Sequence, residues 1–95
     1  MKILAIEKEL KETNWEEQSQ LLKKEAIQVY QLQIKDNIRE IYFNEKKQAI
    51  LILECQDKNE ASKYLKTLPL VQKGIIDFTL MELNPYTGFS RIISA

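Results

Sequence analysis

An α+β fold is what this sequence predicts: two β-α-β halves sharing one four-stranded antiparallel sheet, with two helices on a single face. Three observations predict it. Apolar runs of strand length alternate with amphipathic stretches of helix length, in the order strand, helix, strand, strand, helix, strand. Two of the amphipathic stretches open with residues that cap helices. Pro69 and Gly74 then punctuate the passage from the second helix to the last strand.

Ninety-five residues make one domain, 1–95. A chain this short buries a modest fraction of its surface, so burial against a partner subunit would help it. Fourteen basic residues balance fourteen acidic ones, which leaves no overall field to draw nucleic acid or an anionic membrane. The single cysteine, Cys55, allows no internal disulfide and reads as a small buried hydrophobe in a cytoplasmic protein. Met1 to Ile6 is apolar too briefly for a secretory signal or a membrane span.

Ile3 to Ile6 is continuously apolar and reads as a buried strand reaching toward Glu9. Thr13-Asn14-Trp15-Glu16 has the form of a capping box, with Glu16 and Glu17 at the positive end of the helix dipole. From Trp15, the residues Leu22, Ala26, Val29 and Gln33 share one helical face, flanked by Leu21, Tyr30 and Leu32. This predicts a helix of roughly 20 residues, closed by Asn37 in the left-handed conformation.

Ile38 to Asn44 follows as a strand, Glu45 to Gln48 as a polar hairpin turn, and Ala49 to Cys55 as the next strand. Asp57-Lys58-Asn59-Glu60 is a second capping box. Its helix carries Ala61, Tyr64, Leu65 and Leu68 at i, i+3, i+4 and i+7, and Pro69 ends it near Leu68. Gly74 supplies a turn, Ile75 to Leu83 the last strand, and Asn84-Pro85 the stop. Residues 84–95 form a tail too apolar for a free end, with Phe89, Ile92 and Ile93.

This order is that of a ferredoxin-like βαββαβ sandwich. A sheet covered on one side should alternate apolar-in and polar-out. The first and third strands do not: Leu4 and Ile6 oppose Ile3 and Ala5, and Ile50 and Ile52 oppose Leu51 and Leu53. Both sheet faces therefore call for burial, and two helices cover only one. The expectation is a homodimer, or a higher even-numbered oligomer, with facing sheets: a dimeric α+β barrel, with the tail packing on the partner subunit.

Leu68-Pro69-Leu70, the strand from Ile75 to Leu83 running into Asn84-Pro85-Tyr86, and the long first helix reaching Asn37 before Arg39-Glu40-Ile41-Tyr42 resemble the muconolactone isomerase family of the dimeric α+β barrel superfamily. The resemblance implies a cofactor-independent enzyme that shifts a proton within a small unsaturated ring compound. Haem-binding branches of that superfamily use histidine as the metal ligand, and this chain has none.

Isomerisation of that kind needs an acid and a base on one carbon skeleton. Glu7 and Glu82, toward the ends of neighbouring strands, are the candidate catalytic carboxylates, and solvated strand-end charges are the alternative. Trp15, Tyr30, Tyr42, Phe43, Tyr64 and Phe78 could line a pocket between sheet and helices, and Tyr86 and Arg91 could close one from a partner; plain core and interface packing are the alternatives. Asp77, in mid-strand, reads as an inward charge guarding a sheet edge, and Glu54 as solvated. No Gly-rich phosphate loop, no metal-ligand spacing and no exposed stacking aromatics on the central strands are present, so neither a cofactor nor a nucleic-acid partner is expected.

Two readings of function follow. The enzyme reading predicts a cavity of roughly 300 Å³ or more with a few convergent polar groups and a carboxylate whose pKa is raised. The alternative is a non-catalytic module that binds a small apolar ligand or assembles with itself.

Overall fold

The computed structural model describes residues 1–93. Ser94 and Ala95, which end the expected tail, lie outside the described residues. The elements are β1 (Lys2–Glu9), a 3-10 turn (Trp15–Glu17), α1 (Ser19–Ile34), β2 (Ile38–Phe43), β3 (Ala49–Glu54), α2 (Lys58–Leu65), α3 (Pro69–Gln72), β4 (Ile76–Leu83) and α4 (Ser90–Ile93). The strands form one antiparallel sheet in the order β2-β3-β1-β4. That is the ferredoxin-like arrangement that the sequence predicts.

Register assigns every strand residue to a face, because directly paired residues project from the same side. Ile3 lies opposite Leu53, and Ala5 lies between Leu51 and Leu80. Ile3, Ala5, Leu51 and Leu53, with Ile38, Ile76 and Phe78, meet Leu32 of α1, Ala61 and Leu65 of α2, and Leu68 and Leu70 in one buried cluster, against which the half-buried Leu80 packs. In β2 the register shifts between Ile38 and Glu40. This bulge lets Ile38 and Ile41 share the helix-facing side although they are three residues apart.

The opposite face is also apolar. Leu4 pairs with Ile52 and Met81, and Ile6 pairs with Ile50 and Thr79. Tyr42 lies beyond Ile50, and Glu40 beyond Ile52. The core cluster includes none of these side chains.

Several local expectations need correction. The first helix begins at Ser19 rather than Trp15. Asn14, not Thr13, makes the cap, its Oδ1 accepting from the Glu16 amide at 3.2 Å. Thr13 instead donates its hydroxyl to the Lys11 carbonyl. At the other end Asp36, with φ 63°, takes the left-handed position expected of Asn37. The amide of Asn37 reaches the Leu32 carbonyl and that of Asp36 the Gln33 carbonyl, both at 3.0 Å, so the last turn is closed by the paired bonds of a Schellman motif.

Pro69 does more than end a helix. It occupies the first position of α3, where its missing N–H costs nothing. The segment closes on Gly74 (φ 70°), whose amide bonds Val71 while the Ile75 amide bonds Leu70. The second helix has the expected cap, Asp57 Oδ1 accepting from the Glu60 amide at 2.8 Å, but the reciprocal half of the box is altered: the Glu60 carboxylate accepts from the Gln56 amide at 3.4 Å rather than from that of Asp57. Asp77 is exposed on the open face of the edge strand, opposite Lys8, and so does not point inward. Glu54 is no free surface charge. It takes the Met1 amine at 2.7 Å, which holds its carboxyl below the usual range. Cys55 is buried as expected, its thiol pushed up to about 11 mainly by desolvation.

The chain beyond Leu83 leaves the body. Tyr86, Phe89, Ile92 and Ile93 are 74%, 62%, 80% and 79% exposed. The radius of gyration is 15.9 Å, against about 12 Å for a compact chain of this length. The arm is what stretches the molecule to 62 Å along its longest axis.

Candidate functional site

A cavity of about 700 Å³ lies between the sheet and α1. The helical stripe read from the sequence forms one wall: Trp15, Leu22, Ala26, Val29 and Gln33 all line it. The stripe faces inward, yet Leu22 and Ala26 remain exposed because the space beneath them is open. Ile41, Phe43, Ala49, Leu51, Ile76 and Phe78 form the sheet wall, and Leu68 and Leu70 close one end.

Two carboxylates enter this apolar space from different elements. Glu7 is on the helix-facing side of β1, level with Phe78 of β4. Beyond Ile6 and Ile50 the backbone ladder between β1 and β3 stops. Side chains take over: the Ala49 amide donates to Glu7 Oε1 at 3.0 Å, and Gln48 Nε2 donates to the Glu7 carbonyl at 3.1 Å. Asn44 fixes this corner. Its amide nitrogen donates to Gln48 Oε1, and its Oδ1 accepts from the amides of Lys46 and Gln48.

Glu25 comes from α1. Its Oε1 accepts from the Leu70 amide at 2.9 Å. Pro69 sets up that contact, since an α3 started by proline presents the next residue's amide without a helical partner. Burial raises the carboxyl of Glu25 above its ordinary value; the Leu70 amide opposes the rise, and the charge of Glu7 adds to it. Each carboxylate thus has one oxygen tied to a backbone amide, and its second oxygen makes no hydrogen bond among the described residues.

A folded-state pKa above the unfolded value means that the native protein holds more protons in the window between the two. Stability then falls as pH rises through that window. Glu25→Gln keeps the acceptor for Leu70 and removes the charge. The variant is expected to melt above wild type at pH 7, with the difference vanishing once Glu25 is protonated in both folded and unfolded wild type. Melting curves from pH 3 to pH 7 check this.

Of the pocket residues read from the sequence, Trp15, Tyr30, Phe43 and Phe78 line the cavity, as does Glu7. Glu82 shares the face of Glu7 but pairs with Ile3, four residues along the strand. That separates the two by about 13 Å, so they do not meet. Tyr42 projects from the opposite sheet face, where its hydroxyl donates to Glu40 at 2.7 Å. Tyr64 lies outside the cavity lining and packs against the core. Tyr86 and Arg91 are on the arm.

Glu25 escaped the sequence reading. It falls among surface charges in Lys23-Lys24-Glu25, and the signal that could have found it is its place three residues after Leu22 on the apolar stripe. Among the described residues no group of His, Cys, Asp or Glu could hold a metal ion, and no helix is long and apolar enough to cross a membrane.

No family model matches the chain, and no curated protein matches it in sequence. Among solved structures it is similar to 5-chloro-2-hydroxyhydroquinone dehydrochlorinase (TftG) from Burkholderia phenoliruptrix AC1100, in complex with 2,5-dihydroxybenzoquinone. The identity is 11%, the match covers 90% of this chain and 97% of that one, and the TM-score is 0.64. At that identity the likeness shows the fold.

Proposed function

We propose that this protein binds a small ring compound in the cavity between α1 and the sheet and moves a proton on it, with Glu7 and Glu25 as the exchanging groups. The observation that carries this reading is the pair of carboxylates, anchored by different elements and each left with a free oxygen in an apolar space. Glu25 is the acid, because burial favours its protonated form. Glu7 is the base. In an isomerisation of the muconolactone isomerase type, Glu7 takes a proton from one ring carbon, the double bond shifts, and Glu25 delivers a proton to another. The ring returns neutral, and the two carboxyls exchange protonation states. The small-ring ligand of the TftG complex supports the same choice of ligand size for this fold. The working unit is a homodimer with facing sheets, which would cover the apolar outer face.

The test is deuterium exchange from D₂O into an unsaturated butenolide, with Trp15, the chain's one tryptophan, reporting occupancy from the cavity wall. Wild type is expected to exchange ring hydrogens above background. Glu7→Gln and Glu25→Gln are expected to lose about 10²-fold or more while still binding. Exchange equal in wild type and both variants would remove the proton-transfer role. Binding without any exchange would leave a ligand-binding module.

A further inference from the structure

The charged groups around the cavity are unevenly placed. Glu7 and Glu25 line its walls from β1 and α1. The one cation in the lining, Lys47, sits on the hairpin turn at residues 44–48, exposed and with φ 62°. It makes no ion pair among the described residues. The influences on the Glu25 carboxyl are its burial, the Leu70 amide and the Glu7 charge, with no lysine among them. Neither cavity carboxylate is held in an ion pair among the described residues.

The free oxygens there are acceptors, and a carboxylate cannot donate unless it holds a proton. A ligand that brings hydroxyl donors satisfies them. A ligand that brings its own carboxylate adds a negative charge beside Glu7 in a partly desolvated space, where charges interact more strongly than in water. The aromatic side chains of Trp15, Tyr30, Phe43 and Phe78 favour a flat ring.

We propose that the cavity selects uncharged aromatic or quinol-type rings carrying hydroxyl donors and rejects the same rings when they carry a carboxylate. This rests on the cavity being the ligand site, as proposed above, and it narrows the ligand class. It sets this chain apart from an isomerase acting on a carboxylated lactone.

The experiment is a pair of titrations at pH 7, hydroquinone and 2,5-dihydroxybenzoate, followed by ¹H–¹⁵N spectra with the Trp15 indole N–H as the cavity reporter. Hydroquinone is expected to shift that signal with at least tenfold higher affinity than 2,5-dihydroxybenzoate. In Glu7→Gln the gap is expected to narrow, because the negative charge beside the ligand is gone. Equal or tighter binding of the carboxylate ring at the Trp15 signal would overturn the selectivity and leave the cavity as a ring site. Binding of neither ring would overturn the cavity reading itself, and this inference with it.

Discussion

Leu53→Ala is expected to lower the free energy of unfolding by about 2–5 kcal/mol. Leu53 lies in β3, one of the two central strands, and is 0% exposed. It sits opposite Ile3 on one side and Ile38 on the other, both fully buried. Removing its side chain opens a hole bounded on both flanks by strands whose backbones are locked by ladder hydrogen bonds, so little collapse can relieve it. Small domains have total stabilities of about 5–15 kcal/mol, and the loss is a large share of that.

Leu22→Ala makes the same chemical change on α1, but Leu22 borders the open cavity and is already exposed. Its cost is expected to stay within about 1 kcal/mol. Urea denaturation of the two variants beside wild type reads both values. A Leu22 variant as damaged as the Leu53 variant would mean that α1 closes onto the sheet in solution.

The contrast between these two leucines also marks what the sequence made legible. Leu53 is readable because a strand has a period of two, and its alternation with Ile52 fixes which face it takes once a neighbour is known. The order of elements, the Asp57 cap and the turn at Gly74 follow from equally local chemistry. Leu22 is readable as part of an inward helical stripe. The pattern cannot say whether the space beneath that stripe is filled, since a packed core and an apolar cavity select the same side chains.

The candidate site shows the same limit. Glu7 is visible as a charge ending an apolar strand, but its level along the sheet depends on register, which pairs it with Phe78 and sends Glu82 to the other end. Glu25 needs knowledge that Leu70 comes within hydrogen-bonding reach across 45 positions. Tyr42 projects from the outer face because the bulge between Ile38 and Glu40 resets the alternation of β2. Nothing in Ile38-Arg39-Glu40 announces a bulge, as no glycine or proline marks it.

Ile52→Lys is expected to abolish the facing-sheet self-association proposed above. Ile52 lies on the outer face of β3, between Leu4 of β1 and Glu40 of β2, with Ile50, Ile6 and Met81 nearby on the same face. This patch stays uncovered among the described residues, since α1, α2 and α3 pack on the other side and α4 stands on the arm. Oppositely charged residues face each other across strands near its ends: Lys2 beside Glu54, and Lys8 beside Asp77. A patch that carries both signs at its margins suits pairing with a second copy better than a partner of one charge.

In an isologous dimer every substitution occurs twice. Each lysine withdraws roughly 1.5–3 kcal/mol of apolar burial, so the pair costs about 3–6 kcal/mol before any charge is desolvated. At 1.4 kcal/mol per tenfold, this weakens association by about 10²–10⁴. Sedimentation equilibrium should find wild type as a dimer, or a multiple of one, and Ile52→Lys as a monomer with an unchanged far-UV spectrum. Lys24→Glu, an equally drastic charge change on the exposed side of α1, should leave assembly as it is. A wild-type monomer at every concentration would mean that the outer face of Leu4, Ile6, Ile50 and Ile52 serves no second copy. The arm carrying Phe89, Ile92 and Ile93 would then need another apolar surface to explain its exposure.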